Sequence, residues 1–237
     1  MKSEKSENPS EIPGNGVDDD RDGYIDNVFG IDVANNDGDP MDDNGHGTHC
    51  AGTIGAGANN GHAHVGVAWK VQLMACKFLS GDGWGYTSGA IECIDFAVDN
   101  GAKVLSNSWG GGGFSQGLYD SIMRARDAGV IFVAAAGNSG EDTDSSPHYP
   151  SAYDLENIIA VAAIDRNGQL ASWSNYGQST VPALVNPVQV DAGRYHTCAL
   201  DDNGVHCWGN NSQGQNDVPS NLVNPVSLAA GHYNTCA

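Results

Sequence analysis

Four short apolar runs constrain this chain more than any other feature. They are Val71 to Leu79, Lys103 to Asn107, Val130 to Ala136 and Ile158 to Ala163. Each is short and bounded by turn-forming residues, which is how a strand buried on both faces reads. Between them the apolar spacing becomes helical. Thr87 or Ser88 is placed to cap a helix carrying Ile91, Ile94, Ala97 and Val98, with Gly101 as its stop. Ser115 is placed to cap another, carrying Leu118, Ile122 and Ala125 and ended by Gly129. Strands alternating with helices predict an α/β fold, a parallel sheet flanked by helices.

Charge excludes one class of partner. The net charge is −19, and residues 1–45 hold 13 Asp and Glu against 3 Lys and Arg. Nucleic acid, bound through its phosphates, is therefore not an expected partner. No apolar run reaches the roughly 18 residues of a membrane span, so a membrane is not expected either. Residues 2–11 are charged and polar, unlike a secretory leader.

The chemistry-bearing string is Asn44-Gly45-His46-Gly47-Thr48-His49-Cys50-Ala51-Gly52-Thr53. A histidine in a Gly-rich turn before a small-residue helix is exposed and oriented, as a general base must be. Gly47, Ala51, Gly52 and Gly55 would let that helix pack closely. The string resembles the histidine motif of the subtilisin family of serine proteases. Downstream and in order, Ser106-Asn107-Ser108-Trp109-Gly110-Gly111 resembles that family's substrate-binding strand. Val133 to Gly140 resembles its oxyanion-asparagine motif. His148 to Asp154, Asn157 to Ala163 and Ser172 to Gly177 resemble later segments. The resemblance covers residues 9–180.

It implies a secreted serine endopeptidase that cleaves polypeptides through an acyl-enzyme. His46 would be the general base and Asn138 the oxyanion donor. Ser108, Trp109 and Gly110 would line the substrate cleft together with Gly81, Asp82 and Gly83, pairing with the peptide backbone. His49 is expected to be structural. Cys50 falls on the same helix face as His46.

Two parts of the triad are absent. The family's aspartate ends a buried apolar strand, and none is expected before Gly45. Asp18, Asp19 and Asp20 follow Pro13-Gly14-Asn15-Gly16, which reads as loop. The Gly-Thr-Ser-Met-Ala element that carries the family's serine does not occur. The chain therefore reads as an inactive fragment of a protease. The alternative is a non-catalytic pseudoprotease or a repeat-mediated protein-binding module.

Asp18, Asp20, Asp22 and Asp26 stand at positions 1, 3, 5 and 9 of a loop with Gly23 at position 6, the spacing of a calcium loop. Phe29 occupies position 12, where a bidentate Glu is usual, and Asp32 is a further candidate ligand. Calcium is the one cofactor expected; no organic cofactor is.

From residue 182 onward the pattern changes. Asn186-Pro187-Val188 recurs as Asn224-Pro225-Val226, and Ala192 to Ala199 recurs as Ala230 to Ala237, each offset by 38 residues. With Cys207-Trp208-Gly209 between them, the copies resemble regulator-of-chromosome-condensation repeats, which build β-propellers. Two domains are expected, a partial peptidase at 1–181 and partial propeller repeats at 182–237, with a protein as possible partner of the repeats. Cys198 and Cys207 flank the Asp201–Gly204 turn. A four-residue turn would set them face to face for a disulfide, and a two-residue turn would put them out of register. Cys76 and Cys93 read as core residues.

Overall fold

The structure, a computed structural model, describes residues 7–177, 180–181, 184, 186–192, 196–209, 211, 213–219, 222–231 and 234–237. Pro182 at the expected junction, and Gly193, Arg194, Tyr195, Asn210, His232 and Tyr233 of the repeated motifs, lie outside the described residues. The chain forms two compact units, Met1–Ala102 and Lys103–Ala237.

In the first unit, strand β1 (Gly30–Asp32) pairs in parallel with β2 (Ala75–Lys77). Helix α1 (His46–Gly55) lies between them in sequence and α2 (Thr87–Asp99) follows. The existence of β1 corrects the expectation of no buried strand before Gly45. It was missed because it is three residues long and only Ile31 in it is large and apolar. Ile31, Ala90, Cys93, Ile94 and Ala97 are buried, and Tyr24 is buried too, stacked edge-on to Phe96 and donating its hydroxyl to Glu92. Cys76 of β2 and Cys93 of α2 form a disulfide, so the reading of both as plain core residues is corrected.

Helix α2 begins at Thr87, with Tyr86 as its N-cap and no side-chain cap bond, so neither Thr87 nor Ser88 caps it. Its end is as expected. The Gly101 N–H donates to the Val98 carbonyl and the Ala102 N–H to the Ala97 carbonyl, the paired bonds of a glycine-terminated helix. Helix α1 buries only Gly55, where a β-carbon would press on Val71 and Leu73. The close packing expected of its small residues is confined to that end.

The second unit opens with a parallel sheet in the order β3 (Val104–Asn107), β4 (Ile131–Ala135), β5 (Ile158–Val161), β6 (Thr180–Val181). Helix α3 (Gln116–Asp127) packs against β4 and buries Leu118, Ser121, Ile122 and Ala125. Ser115 caps it by accepting from the Leu118 N–H, and Gly129 ends it as Gly101 ends α2. The strands are not buried on both faces as their composition suggested. Phe132, Ala134 and Ala160 are buried, whereas Val104, Ile131 and Val161 are 55%, 42% and 43% exposed. A run of apolar residues does not report which face finds a partner.

After β6 the strands turn antiparallel. β7 (Gln189–Ala192), β8 (His196–Asp201) and β9 (Gly204–Gly209) form one sheet, and β10 (Ala229–Ala230) pairs with β11 (Thr235–Cys236). Asp191 opposes Cys198 and Ala192 opposes Thr197 in the first; Ala229 opposes Cys236 and Ala230 opposes Thr235 in the second. The second register is the first displaced by the 38 residues of the sequence repeat. Gln189 joins the two copies, accepting from the Leu228 N–H at 2.9 Å and donating to the Leu228 carbonyl at 2.7 Å. Asp191 accepts from the Ala230 N–H. Cys198, Leu200 and Leu228 form a small shared core.

Cys198 and Cys207 are directly opposed and disulfide-bonded. Only Asp202 and Asn203 connect the strands, beyond the paired Asp201 and Gly204. A two-residue connection was expected to misalign the cysteines. It does not, because each stands three residues back from the last pair.

Candidate active site

The site residues fall into both units, and each group is described in its own. In the first unit, His46 is the first residue of α1 and is exposed. The N-cap, Gly45, has φ 98°, a left-handed conformation that glycine adopts without strain. Gly45 has no side chain to satisfy the open N–H groups of the helix, and Asp42 takes that role. Asp42 Oδ2 accepts from the Thr48 N–H at 2.8 Å and the Thr48 hydroxyl at 2.6 Å, and Oδ1 accepts from the Asn44 and Gly45 N–H groups. The Thr48 hydroxyl, with these N–H groups, holds the Asp42 carboxyl well below the ordinary carboxylate range. Sequence reading missed Asp42; its signal was the turn-forming run Asp42-Asp43-Asn44-Gly45 directly before a helix start.

The same turn reaches Gly81, Asp82 and Gly83. Asn44 Nδ2 donates to the Gly81 carbonyl at 2.8 Å, while Asn44 Oδ1 accepts from the His46 N–H. The Ser80 hydroxyl, which also lies 2.8 Å from the Trp84 carbonyl, donates to Asp82 and holds its carboxyl below the ordinary range. One asparagine thus joins the expected base to the expected cleft segment. His49 is exposed one turn along α1, and Cys50 is a half-buried free thiol.

Asp32, at the end of β1, is buried, but its carboxylate is taken up elsewhere. Lys77 Nζ lies 2.8 Å from Oδ2, which also accepts from Asn35 Nδ2, and Oδ1 accepts from the Asn35 N–H. Burial alone would raise its carboxyl; the bonds from Lys77 and Asn35 win and lower it. This pairing corrects its candidacy as a calcium ligand. Among the described residues no hydrogen bond joins it to His46.

In the acidic loop the four expected ligands do different work. Asp26 accepts from the Gly14, Asn15 and Gly16 N–H groups. Asp22 accepts from the Tyr24 N–H and from Asn27 Nδ2. Asp18 accepts from the Arg21 and Gly23 N–H groups and Asp20 from Asn8 Nδ2 and the Asp22 N–H; both also lie near Glu11, a residue the spacing argument did not include, with carboxylate oxygens of the three within 4.8 Å of one another.

In the second unit, Ser108, Trp109 and Gly110 follow the carboxyl end of β3, and Asn138 follows that of its neighbour β4. The carboxyl ends of adjacent parallel strands are where α/β sheets bind ligands. Trp109 Nε1 donates to Asn107 Oδ1 and its ring stands edge-on to Phe132. Asn138 is exposed on a loop held by Asn175, which is buried. Asn175 Oδ1 accepts from the Ser139 and Glu141 N–H groups, and Nδ2 donates to the Ala136 carbonyl. Gly137, at φ 116°, passes so close to Asn175 that a β-carbon would sit 2.3 Å from Nδ2. Asn175 lies in a motif already recognised, but nothing in the sequence gave it this role.

His148 reaches both segments. A β-carbon on Gly110 would stand 2.2 Å from its Cε1, and one on Gly137 3.2 Å from its Cδ2. Burial lowers its pKa, against a smaller opposing effect of Glu141, and its Nδ1 is buried without a hydrogen-bond partner among the described residues.

Residues 9–222 match the subtilase family, and the chain belongs to that family. Thermitase from Thermoactinomyces vulgaris is 41% identical over 150 residues, 63% of this chain and 52% of thermitase. A thermophilic serine proteinase from Bacillus sp. strain AK1 is 40% identical over 158 residues, 67% of this chain and 38% of that protein. The crystal structure of a psychrophilic subtilisin-like protease from the Antarctic psychrotroph Pseudoalteromonas sp. AS-11 superposes with a TM-score of 0.51 at 38% identity, covering 58% of this chain and 31% of that one. The chain thus spans about half or less of these relatives. The α/β fold with parallel sheets is the subtilisin-like one, and among the described residues no helix is long and apolar enough to cross a membrane.

Proposed function

We propose that this chain carries part of the cleft of a secreted serine endopeptidase, acting on polypeptides. His46 is the general base, which in the whole enzyme takes the proton of the serine and returns it to the leaving amine. Asn138 donates to the oxyanion, an interaction worth about 10² to 10³ in turnover in subtilisin itself. Gly81 to Gly83 and Ser108 to Gly110 offer main chain to an extended peptide. The observation that supports this most directly is the departure of Ser108–Gly110 and of Asn138 from the carboxyl ends of adjacent parallel strands.

β1 ends in Asp32, whose carboxylate is paired with Lys77 and, among the described residues, makes no hydrogen bond to His46, and the sequence holds no Gly-Thr-Ser-Met-Ala element; loss of the serine alone costs subtilisin about 10⁶ in turnover. The chain by itself therefore binds peptide without cleaving it. A non-catalytic peptide-binding role is the second reading, favoured by the same combination of retained cleft segments and missing triad members. Residues 1–181 form the peptidase part and residues 182–237 belong to repeats of the regulator-of-chromosome-condensation type, with a protein partner. A structural calcium ion belongs to the acidic amino-terminal loop.

The test uses the 237-residue chain with labelled extended peptides, reading fluorescence anisotropy and hydrolysis together. Saturable binding without hydrolysis, weakened by Trp109→Ala, is expected. No binding to any of a set of varied peptides overturns the cleft assignment, and hydrolysis overturns the inactivity.

A further inference from the structure

We infer that His148 sets a side-chain preference of the peptide cleft: its imidazole closes the gap between the Ser108–Gly110 and Gly137–Asn138 segments, and its Nε2 edge receives an acidic side chain of the bound peptide. This rests on the peptide-cleft reading above and names the side chain that the cleft favours.

Two glycines fix the placement of the ring. A β-carbon on Gly110 would stand 2.2 Å from Cε1 and 3.0 Å from Nε2, and one on Gly137 3.2 Å from Cδ2. The Cε1–Nε2–Cδ2 edge therefore lies against both segments, with Nε2 between them. Main chain anchors it there. The His148 carbonyl accepts from the Ser151 hydroxyl at 2.7 Å and from the Ala152 N–H at 2.9 Å, and the Tyr149 carbonyl accepts from the Gly111 N–H at 3.0 Å. Tyr149 packs in turn on Phe114 and Tyr153. A side chain that turns from the peptide into this gap meets the imidazole edge.

The opposite side of the ring decides what that edge offers. Nδ1 is buried and has no hydrogen-bond partner among the described residues. A buried N–H without an acceptor is the rarer and costlier orphan, so the neutral ring keeps its proton on Nε2 and presents a donor to the gap. Neither flanking segment brings a charge of its own, since residues 108–113 and 137–140 hold no titratable side chain. Tyr149 is the titratable neighbour in the chain. Among the described residues Glu141 is the charged group that acts on the ring, and burial outweighs it and keeps the free ring neutral near pH 7. A carboxylate at Nε2 supplies the counter-charge that Glu141 does not, so it binds more tightly as pH falls and makes the ring easier to protonate. An amide of the same shape accepts the hydrogen bond without the charge.

The experiment moves a single Glu, or a single Gln, along a neutral extended peptide and reads fluorescence anisotropy with the 237-residue chain at pH 8 and pH 5.5, where the peptide carboxylate is still ionised. At one position the Glu peptide should gain about tenfold over the Gln peptide on acidification, the worth of one hydrogen bond to a charged group. In His148→Gln the ratio should stay flat. By NMR, the Glu peptide should raise the proton affinity of the His148 ring about tenfold, and the Gln peptide should not. Peptide binding with a ratio that is the same at both pH values at every position overturns this inference and leaves the cleft standing. A ratio that moves as much in His148→Gln gives the effect to another group and overturns it too. Failure to bind any peptide overturns both readings. If His148→Gln does not fold, the wild-type ratio and the ring titration decide alone, the ring being assigned by its contact with the Gly110 α-protons.

Discussion

Asp42 and Thr48 are joined twice through one carboxylate oxygen, which takes both the backbone N–H and the hydroxyl of the threonine at the start of α1. The helix that presents His46 is therefore tied from outside, four residues upstream of its first residue.

Asp42→Ala should destabilise the first unit by about 1 kcal/mol, the usual worth of a helix cap. Its pH dependence has a definite sign. The folded carboxyl binds its proton less readily than the unfolded one, so its contribution is complete above about pH 4 and is lost as pH falls further. Urea titrations at pH 7 and pH 3 should show a wild-type loss that the variant partly lacks. An equal loss in both removes Asp42 from this role.

Asn175→Ala should cost about 2 kcal/mol or more, because it leaves the Ser139 and Glu141 N–H groups without their acceptor. Amide hydrogen exchange should accelerate first in residues 137–141. Acceleration spread evenly over the second unit would mean that Asn175 supports the fold at large and not the Asn138 loop.

His148 gives a second pH signal. Burial makes the folded ring harder to protonate than the unfolded one, so stability is complete above about pH 6.5 and declines toward acid. His148→Gln should flatten that part of the profile between pH 8 and pH 5. Gly110→Ala should drive a methyl into the ring, costing about 1–3 kcal/mol and weakening peptide binding. Unchanged stability and affinity in Gly110→Ala would mean that the ring swings clear.

The Cys76–Cys93 bridge closes a loop with a sequence separation of 17. By the chain-entropy relation, replacing both cysteines with serine should cost about 3 kcal/mol, read as a lowered urea midpoint under non-reducing conditions. An unchanged midpoint would show that β2 and α2 stay together without it.

What the sequence made legible was local. Ser115 as a cap and Gly101 and Gly129 as stops depend on groups within a turn of the helix, and they stand where their residue types require. The Cys76–Cys93 bridge was hidden because it joins a strand to a helix, and neither neighbourhood advertises the other. The exposure of Ile131 and Val161 was hidden because hydrophobicity states what a strand needs and not whether a neighbour supplies it. In the acidic loop the regular spacing drew attention to Asp22 and Asp26. The chain doubles back instead, and Glu11, seven residues before Asp18, meets the loop from outside the pattern. His46 and Asn138 stand within long strings that single them out in the sequence; Asp42 and Asn175, which hold the turns beside them, do not, since each acts through one short side chain at a distance.

The joint between the two antiparallel copies has a direction. The copy that begins with Gln189 reaches forward, gripping the Leu228 amide from both sides, while Asp191 catches Ala230. One period later the equivalent positions are Ser227 and Ala229, whose side chains are too short to extend the same grip. The two copies are alike in pairing yet unlike as connectors. The first is built to hold a successor, and the second would have to receive its next neighbour by different chemistry, so a stack of such copies would not be held by one interchangeable bond.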